Sequence, residues 1–121
     1  MSGPVKVALC CINKGLGHIV SSLDVSTETA MILLPAREAV RTVKFNPEDT
    51  QRRLGKVQRL RAEHPSVVIT SSVDPYSLVA LSAKGVEVRL VAEGTGINDA
   101  LGMYLDGQAK LACNVIGGQR D

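Results

Sequence analysis

Short apolar runs alternate with helix start and stop signals over residues 66–106, and they predict strand, helix, strand and helix in that order. Residues 66–70 (Ser-Val-Val-Ile-Thr) are mostly β-branched, as in strands that are buried on both faces. Asp74 before Pro75 is typical of a helix start, and a glycine ends this helix. Residues 86–91 then begin a second strand with apolar and charged positions in alternation.

The two loops that follow these strands are the first predicted binding region. Two strands joined by one helix over so few residues run parallel, with a right-handed crossover. Residues 71–76 and 93–98 therefore lie at the same edge of the sheet, beyond the carboxyl ends of the strands. Open α/β sheets usually bind their ligands at that edge.

The first half of the chain predicts three more strands and one helix. Residues 5–11 form an apolar central strand, and residues 30–34 and 39–45 form an antiparallel hairpin whose outer strand carries charges. Residues 19–29 mix polar and apolar side chains without a period, so we expect a loop there. Residues 50–63 place leucine and valine on one inward stripe of a single helix.

The resulting order of elements is β-β-β-α-β-α-β-α, with the last helix at residues 97–106. Three antiparallel strands followed by parallel strands with crossover helices is the order of ribonuclease-H-like folds. We therefore predict a single-domain α/β fold over residues 1–121, with a mixed five-stranded sheet and helices on both faces. Residues 108–121 are expected to add a short strand or helical turn at the rim, or to form a flexible tail.

Composition excludes several classes of partner. A chain of 121 residues with 45% hydrophobic content can bury one core, but aromatic residues make up only 2%, so there is no platform for stacking bases. The net charge of +2 is too balanced to indicate a phosphate backbone, so we expect no nucleic-acid partner. Without an apolar run of about 20 residues or a leader, we expect no membrane association and a cytoplasmic location.

Three stretches of the second half resemble the dinitrogenase iron-molybdenum-cofactor biosynthesis and binding family. Residues 67–90, 93–95 and 99–107 follow that family's order of a buried strand, a helix begun by proline, a β-branched strand and a helix ending near glycine. Asn46 and Pro47 also stand where the family often has Asn-Pro after its third strand. The resemblance covers most of the chain, and it implies a ribonuclease-H-like fold that binds a metal-sulfur cofactor.

The chain departs from this family near the expected cofactor. Ser71 and Ser72 replace a pair of glycines, and Asp74 replaces the glycine before Pro75. Residues 22–25 (Ser-Leu-Asp-Val) stand where many members have a His-Phe-Gly-Arg-like segment, whose histidine is a candidate contact for the metal cluster. The ligands of a bound iron-molybdenum or iron-sulfur cluster therefore have to come from other residues of this chain.

Cys11 and His18 are the predicted metal ligands. A thiolate is a soft ligand suited to metal-sulfur clusters, and Cys11 stands at the carboxyl end of the first strand. Cys10 points to the opposite face of that strand, so only one of the two thiols can serve a given site. His18 follows in a loop flanked by glycine, where we expect it to be exposed. The plainer interpretation is a packing cysteine and a surface histidine.

These residues favour a non-catalytic carrier or insertion factor for a metal-sulfur cofactor, with an acceptor metalloprotein as partner. One alternative is a small-molecule-binding or protein-interaction domain of the same fold that has lost metal binding. Another is an enzyme that holds a small anionic substrate at the helix start beside Pro75. No set of carboxylates or nucleophile with its base follows from the spacing, so we expect no catalysis. The predicted site residues are Cys11, His18, Ser71, Ser72, Glu93, Gly94 and Thr95.

Overall fold

The computed structural model describes residues 6–15, 17–23, 28–34, 39–51 and 54–112. The strands are β1 (Val7–Lys14), β2 (Gly17–Val20), β3 (Thr29–Leu34), β4 (Ala39–Lys44), β5 (Val67–Thr70), β6 (Glu87–Leu90) and β7 (Lys110–Leu111). The helices are α1 (Pro47–Gln51), α2 (Gly55–Ala62), α3 (Pro75–Ser82) and α4 (Ile97–Leu105). In the part of the chain described here, no helix has the length and apolar character needed to cross a membrane.

All strands belong to one mixed sheet. The order of its strands is β4-β3-β1-β5-β6-β7, and β2 pairs with the carboxyl-terminal half of β1. β1 runs antiparallel to β3 and parallel to β5, and β5 runs parallel to β6. The predicted mixed sheet of five strands, with β1 and β5 at its centre and the β3–β4 hairpin on one side, is confirmed, and the short strands β2 and β7 extend it.

Helices cover both faces of this sheet, as predicted. Since successive side chains of a strand point to opposite faces, Ala8 and Cys10 of β1 pack with α2 and α3, whereas Val7 and Leu9 pack with α4. Both clusters consist almost entirely of aliphatic side chains, which agrees with the low aromatic content. The domain therefore has two apolar layers, one on each side of β1 and β5.

The prediction of a loop over residues 19–29 is wrong for its first two residues, which lie in a strand. Ile19 and Val20 belong to β2, which forms a hairpin with β1 around Gly15 at φ 60°. His18 likewise lies in β2, where it pairs with Asn13, and it is half-buried instead of exposed on a loop. Because β2 is only four residues long and pairs with β1 on one side and contacts Gly94 and Thr95 on the other, its own pattern does not reveal it. Residues 24–27 lie outside the described residues.

The single helix predicted at residues 50–63 is also wrong, because α1 ends before α2 begins. Asn46 and Asp49 cap α1 reciprocally: the Asp49 N–H donates to Asn46 Oδ1 at 2.8 Å, and the Asn46 N–H donates to Asp49 Oδ2 at 3.0 Å. At the start of α2, a Cβ on Gly55 would lie 2.2 Å from the carbonyl oxygen of Asp49. This close approach of two backbones separates the helices, and Arg59 adds an ion pair to Asp49 at 3.5 Å.

The chain after α4 returns to the sheet. β7 pairs antiparallel with β6, and the Ala112 N–H donates to the Val88 carbonyl at 2.8 Å. This is the rim strand that was one of the alternatives for residues 108–121. The part of the predicted tail beyond residue 112 lies outside the described residues.

Candidate functional site

Three segments meet beyond the carboxyl ends of β5 and β6, beside the second half of β1. The Val20 N–H donates to the Thr95 carbonyl at 2.8 Å, and the Gly94 N–H donates to the Val20 carbonyl at 3.0 Å. On the other side, the Ser71 N–H donates to the Ser21 carbonyl at 3.3 Å. β2 and the chain that follows it are thus joined to both predicted loops, and the three form one rim.

Thr70 anchors this rim from below. It is the last residue of β5 and is fully buried. Its hydroxyl oxygen accepts the Leu23 N–H at 2.9 Å, and its hydrogen is shared between the carbonyls of Ser21 and Ser72, each at 3.0 Å. One side chain therefore holds the segment after β2 against the loop after β5.

The structure brings the predicted loop residues together in pairs. The Ser71 hydroxyl donates to Glu93 Oε1 at 2.6 Å, which confirms that these two loops share an edge. The Ser72 hydroxyl donates to the Ser22 hydroxyl at 2.8 Å. Because the Ser71 hydroxyl already donates its hydrogen to the negatively charged Glu93, this position is poorly suited to a small anion.

The start of α3 is closed by its own cap. Asp74 Oδ1 accepts the Ser77 N–H at 2.8 Å, so the predicted cap is confirmed. The carboxylate of Asp74 sits where an anion would be attracted to the positive end of the helix. The helix start beside Pro75, which the enzyme hypothesis used, is therefore already neutralised by the chain itself.

The start of α4 is arranged differently, since its N-cap is Gly96 and no side chain caps it. The preceding residue, Thr95, does not cap the helix either, because its hydroxyl donates to the Ala92 carbonyl at 2.7 Å. The first turn of α4 faces a cleft of about 490 Å³. That cleft is lined by Gly17, His18, Gly96, Ile97, Asn98 and Asp99.

Of the predicted site residues only His18 lines this cleft, and the charged lining residue Asp99 was missed because the predicted loop over residues 93–98 ended one position before it. The sequence did contain a signal for Asp99. It is the third residue of a helix that begins at Ile97, so it lies in the same turn as Asn98. The hairpin that carries His18 to this turn could not be anticipated. It depends on the isolated bridge between Ile19 and Gly96, two residues far apart in sequence.

The two predicted metal ligands lie on one face of the sheet but differ in exposure. In the β1–β2 register, Cys11 is opposite Val20 and Asn13 is opposite His18, so Cys11 and His18 are diagonal neighbours on the face covered by α4. Cys10 and Cys11 have no exposed surface, which agrees with the interpretation of a packing cysteine. His18 reaches the cleft, while Cys11 lies beneath the rim.

The donor set fits a bound cluster only in part. Among the residues that the structure describes, no group of three or more His, Cys, Asp or Glu side chains is placed to hold a metal ion. One accessible imidazole and a buried thiol are too few to enclose a bare ion. They suit a preformed cluster better, since such a cluster brings its own sulfide ligands.

The protein is a small α/β domain whose mixed sheet has a ribonuclease-H-like strand order. It has a ligand-sized cleft at the edge of the sheet where the parallel strands end. Its fold is similar to that of the orange protein from Desulfovibrio gigas, solved in its apo form, with 25% identity, a TM-score of 0.79, and coverage of 93% of this chain and 97% of that chain. It is also similar to a NifB-like protein of the DUF35 family from Thermotoga, with 22% identity, a TM-score of 0.69, and coverage of 97% and 98%. No family model and no curated protein matches the chain.

Proposed function

We propose that this protein is a non-catalytic cytoplasmic carrier that binds an anionic metal-sulfur cofactor, of the iron-molybdenum or iron-sulfur type, and passes it to an acceptor metalloprotein. The observation that carries the proposal is the cleft of about 490 Å³ between His18 and the uncapped first turn of α4. The likeness to a protein known in an apo form, and to a NifB-like protein, supports the same assignment.

The first turn of α4 supplies the attraction for an anion. The first N–H groups of a helix have no partner within the helix, and the helix dipole places about half a positive charge there. Neither Gly96 nor Thr95 caps this turn with a side chain. Backbone N–H groups near cluster sulfides are also a recognised means of stabilising metal-sulfur groups. The carrier therefore holds its cargo mainly by hydrogen bonds and charge.

Asp99 opposes this attraction, because its carboxylate lines the same cleft. It stabilises the free helix at the cost of repelling an anion, an arrangement that suits a carrier that has to release its cargo. Replacing Asp99 with Asn keeps the size of the side chain and removes the charge. We expect Asp99→Asn to bind the cofactor more tightly than the wild type.

His18 is the proposed direct metal contact, and Cys11 is the proposed second one. His18 already lines the cleft. Cys11 lies two positions before Asn13, the residue of β1 that pairs with His18. Because Cys11 is fully buried, a cluster reaches its thiol only if β2 moves aside. Ser71, Ser72, Glu93, Gly94 and Thr95 support the rim around these contacts.

Anaerobic reconstitution with iron, molybdate and sulfide, followed by metal analysis and visible absorption, tests the proposal. We expect the wild type to take up a coloured cluster, His18→Ala to lose it, and Cys11→Ser to weaken it. His64→Ala is the matched control, because His64 lies at the opposite edge of the sheet. Failure of the folded wild type to bind contradicts the carrier function, whereas uptake unchanged in His18→Ala and Cys11→Ser keeps a carrier but contradicts this site.

The burial of Cys11 favours one second candidate, a domain of the same fold that binds a small anion at this cleft without metal. In that case, molybdate alone would bind as tightly as the reconstituted cluster. Cys11→Ser would then leave binding unchanged while His18→Ala weakened it. The same set of variants therefore separates the two functions.

A further inference from the structure

A second cleft, of about 510 Å³, lies at the opposite edge of the sheet, between the end of α2 and the end of α3. Pro65 and Val86, both buried, form its apolar floor. Arg61, His64 and Lys84 stand around that floor. The volume falls within the range of small-molecule pockets, about 300–1,000 Å³.

The charges around this second cleft are of one sign. Its lining includes two fixed cations and no carboxylate. Three cations elsewhere have acidic partners: Lys6 pairs with Glu63, Arg59 with Asp49, and Arg89 with Glu87. Within residues 6–15, 17–23, 28–34, 39–51 and 54–112, by contrast, neither Arg61 nor Lys84 forms an ion pair.

Backbone hydrogen bonds satisfy carbonyls at the two nearby helix ends. The His64 N–H donates to the Arg61 carbonyl at 3.0 Å, and the Val86 N–H donates to the Leu81 carbonyl at 3.1 Å. Backbone donors thus serve carbonyls at both helix ends, so the side chains of Arg61 and Lys84 are not needed as caps there.

His64 adds an independent feature at the same place. Its φ of 55° makes it the one non-glycine residue with positive φ in the part of the chain that the structure describes. A side chain in this region of φ costs free energy relative to glycine, and such positions gather at ligand sites and tight turns. Here the strained turn brings an imidazole to a cleft that already carries two cations.

We propose that this second cleft binds an organic anion that carries a carboxylate or phosphate group on an apolar body. The guanidinium of Arg61 offers a planar pair of donors to such a group, and Lys84 adds a second positive charge. Pro65 and Val86 would contact the apolar body. This inference is independent of the proposed carrier function, since it concerns the other edge of the sheet.

NMR titration of the full chain with phenyl phosphate and with benzoate tests the proposal, with benzyl alcohol as the uncharged control. We expect saturable shifts at the backbone amides of Arg61, His64, Lys84 and Val86 with both anions and none with benzyl alcohol. Inorganic phosphate, which lacks the apolar body, should bind more weakly than phenyl phosphate. Binding that is equal for the two phosphates, or shifts that are scattered over the surface, would overturn the proposal.

Charge-removing variants provide the second arm. Arg61→Gln and Lys84→Gln should each weaken phenyl phosphate about tenfold, which corresponds to ~1.4 kcal/mol of binding free energy. Lys110→Gln, at an exposed lysine on β7, is the matched control and should leave the affinity unchanged. Unaltered thermal unfolding of the variants shows that the fold is intact. Equal affinity in all three variants would contradict the site.

Discussion

Substitutions of Thr70 test how the rim is held. Valine removes the hydroxyl of threonine and serine removes its methyl group, so the two variants separate hydrogen bonding from packing. Thr70→Val keeps the shape but leaves the buried Leu23 N–H without its acceptor, whereas the Ser21 carbonyl loses the Thr70 hydroxyl and keeps the Ser71 N–H as a donor. Thr70→Ser keeps the hydroxyl and removes one methyl group. If the hydrogen bonds matter most, valine is worse than serine, and if packing matters most, the order is reversed.

The expected magnitudes favour the hydrogen bonds. An unsatisfied buried polar group costs about 1–3 kcal/mol, so the Leu23 N–H left without an acceptor should lower the free energy of unfolding of Thr70→Val by about 2 kcal/mol. Losing one buried methyl group in Thr70→Ser costs about 1 kcal/mol. Urea unfolding followed by circular dichroism measures both. A Thr70→Val protein as stable as Thr70→Ser, or more stable, would refute the assignment of Thr70 as the anchor.

Two further predictions concern the helices. Gly55→Ala should lower the free energy of unfolding by about 1–3 kcal/mol, because its Cβ meets the Asp49 carbonyl at 2.2 Å, while Gly102→Ala in α4 meets open space and should gain up to about 1 kcal/mol. Equal effects in urea unfolding would contradict the close approach. Asp74→Ala should cost about 1 kcal/mol by removing the cap on Ser77. Hydrogen exchange at the Ser77 amide that is no faster than in the wild type would contradict this.

Features decided by neighbouring residues were accessible from the sequence. Asp74 before Pro75 predicts the start of α3 because the cap bond joins residues only three apart. The parallel pairing of β5 and β6 follows from the short crossover, and it correctly placed Ser71 and Glu93 at one edge. Their hydrogen bond itself depends on rotamers that no sequence pattern encodes.

Features decided by three-dimensional contacts that leave no local pattern were missed. β2 forms because Ile19 and Val20 find backbone partners in β1 and near Thr95, whereas their own stretch is too short and polar to indicate a strand. The break before Gly55 results from contact with a carbonyl six residues earlier. Arg61 and Lys84 line the second cleft together because the ends of α2 and α3 lie close to each other, so sequence pattern alone shows each only as a solvated charge.

The most direct test of the central claim is an NMR titration with tetrathiomolybdate, a small diamagnetic anion that carries molybdenum and sulfide together. We expect the largest shifts at the backbone amides of Ile97, Asn98 and Asp99 and at His18, with tighter binding in Asp99→Asn. If the shifts are absent, or are confined to the cleft beside Arg61 and Lys84, the carboxyl edge is not the cofactor site.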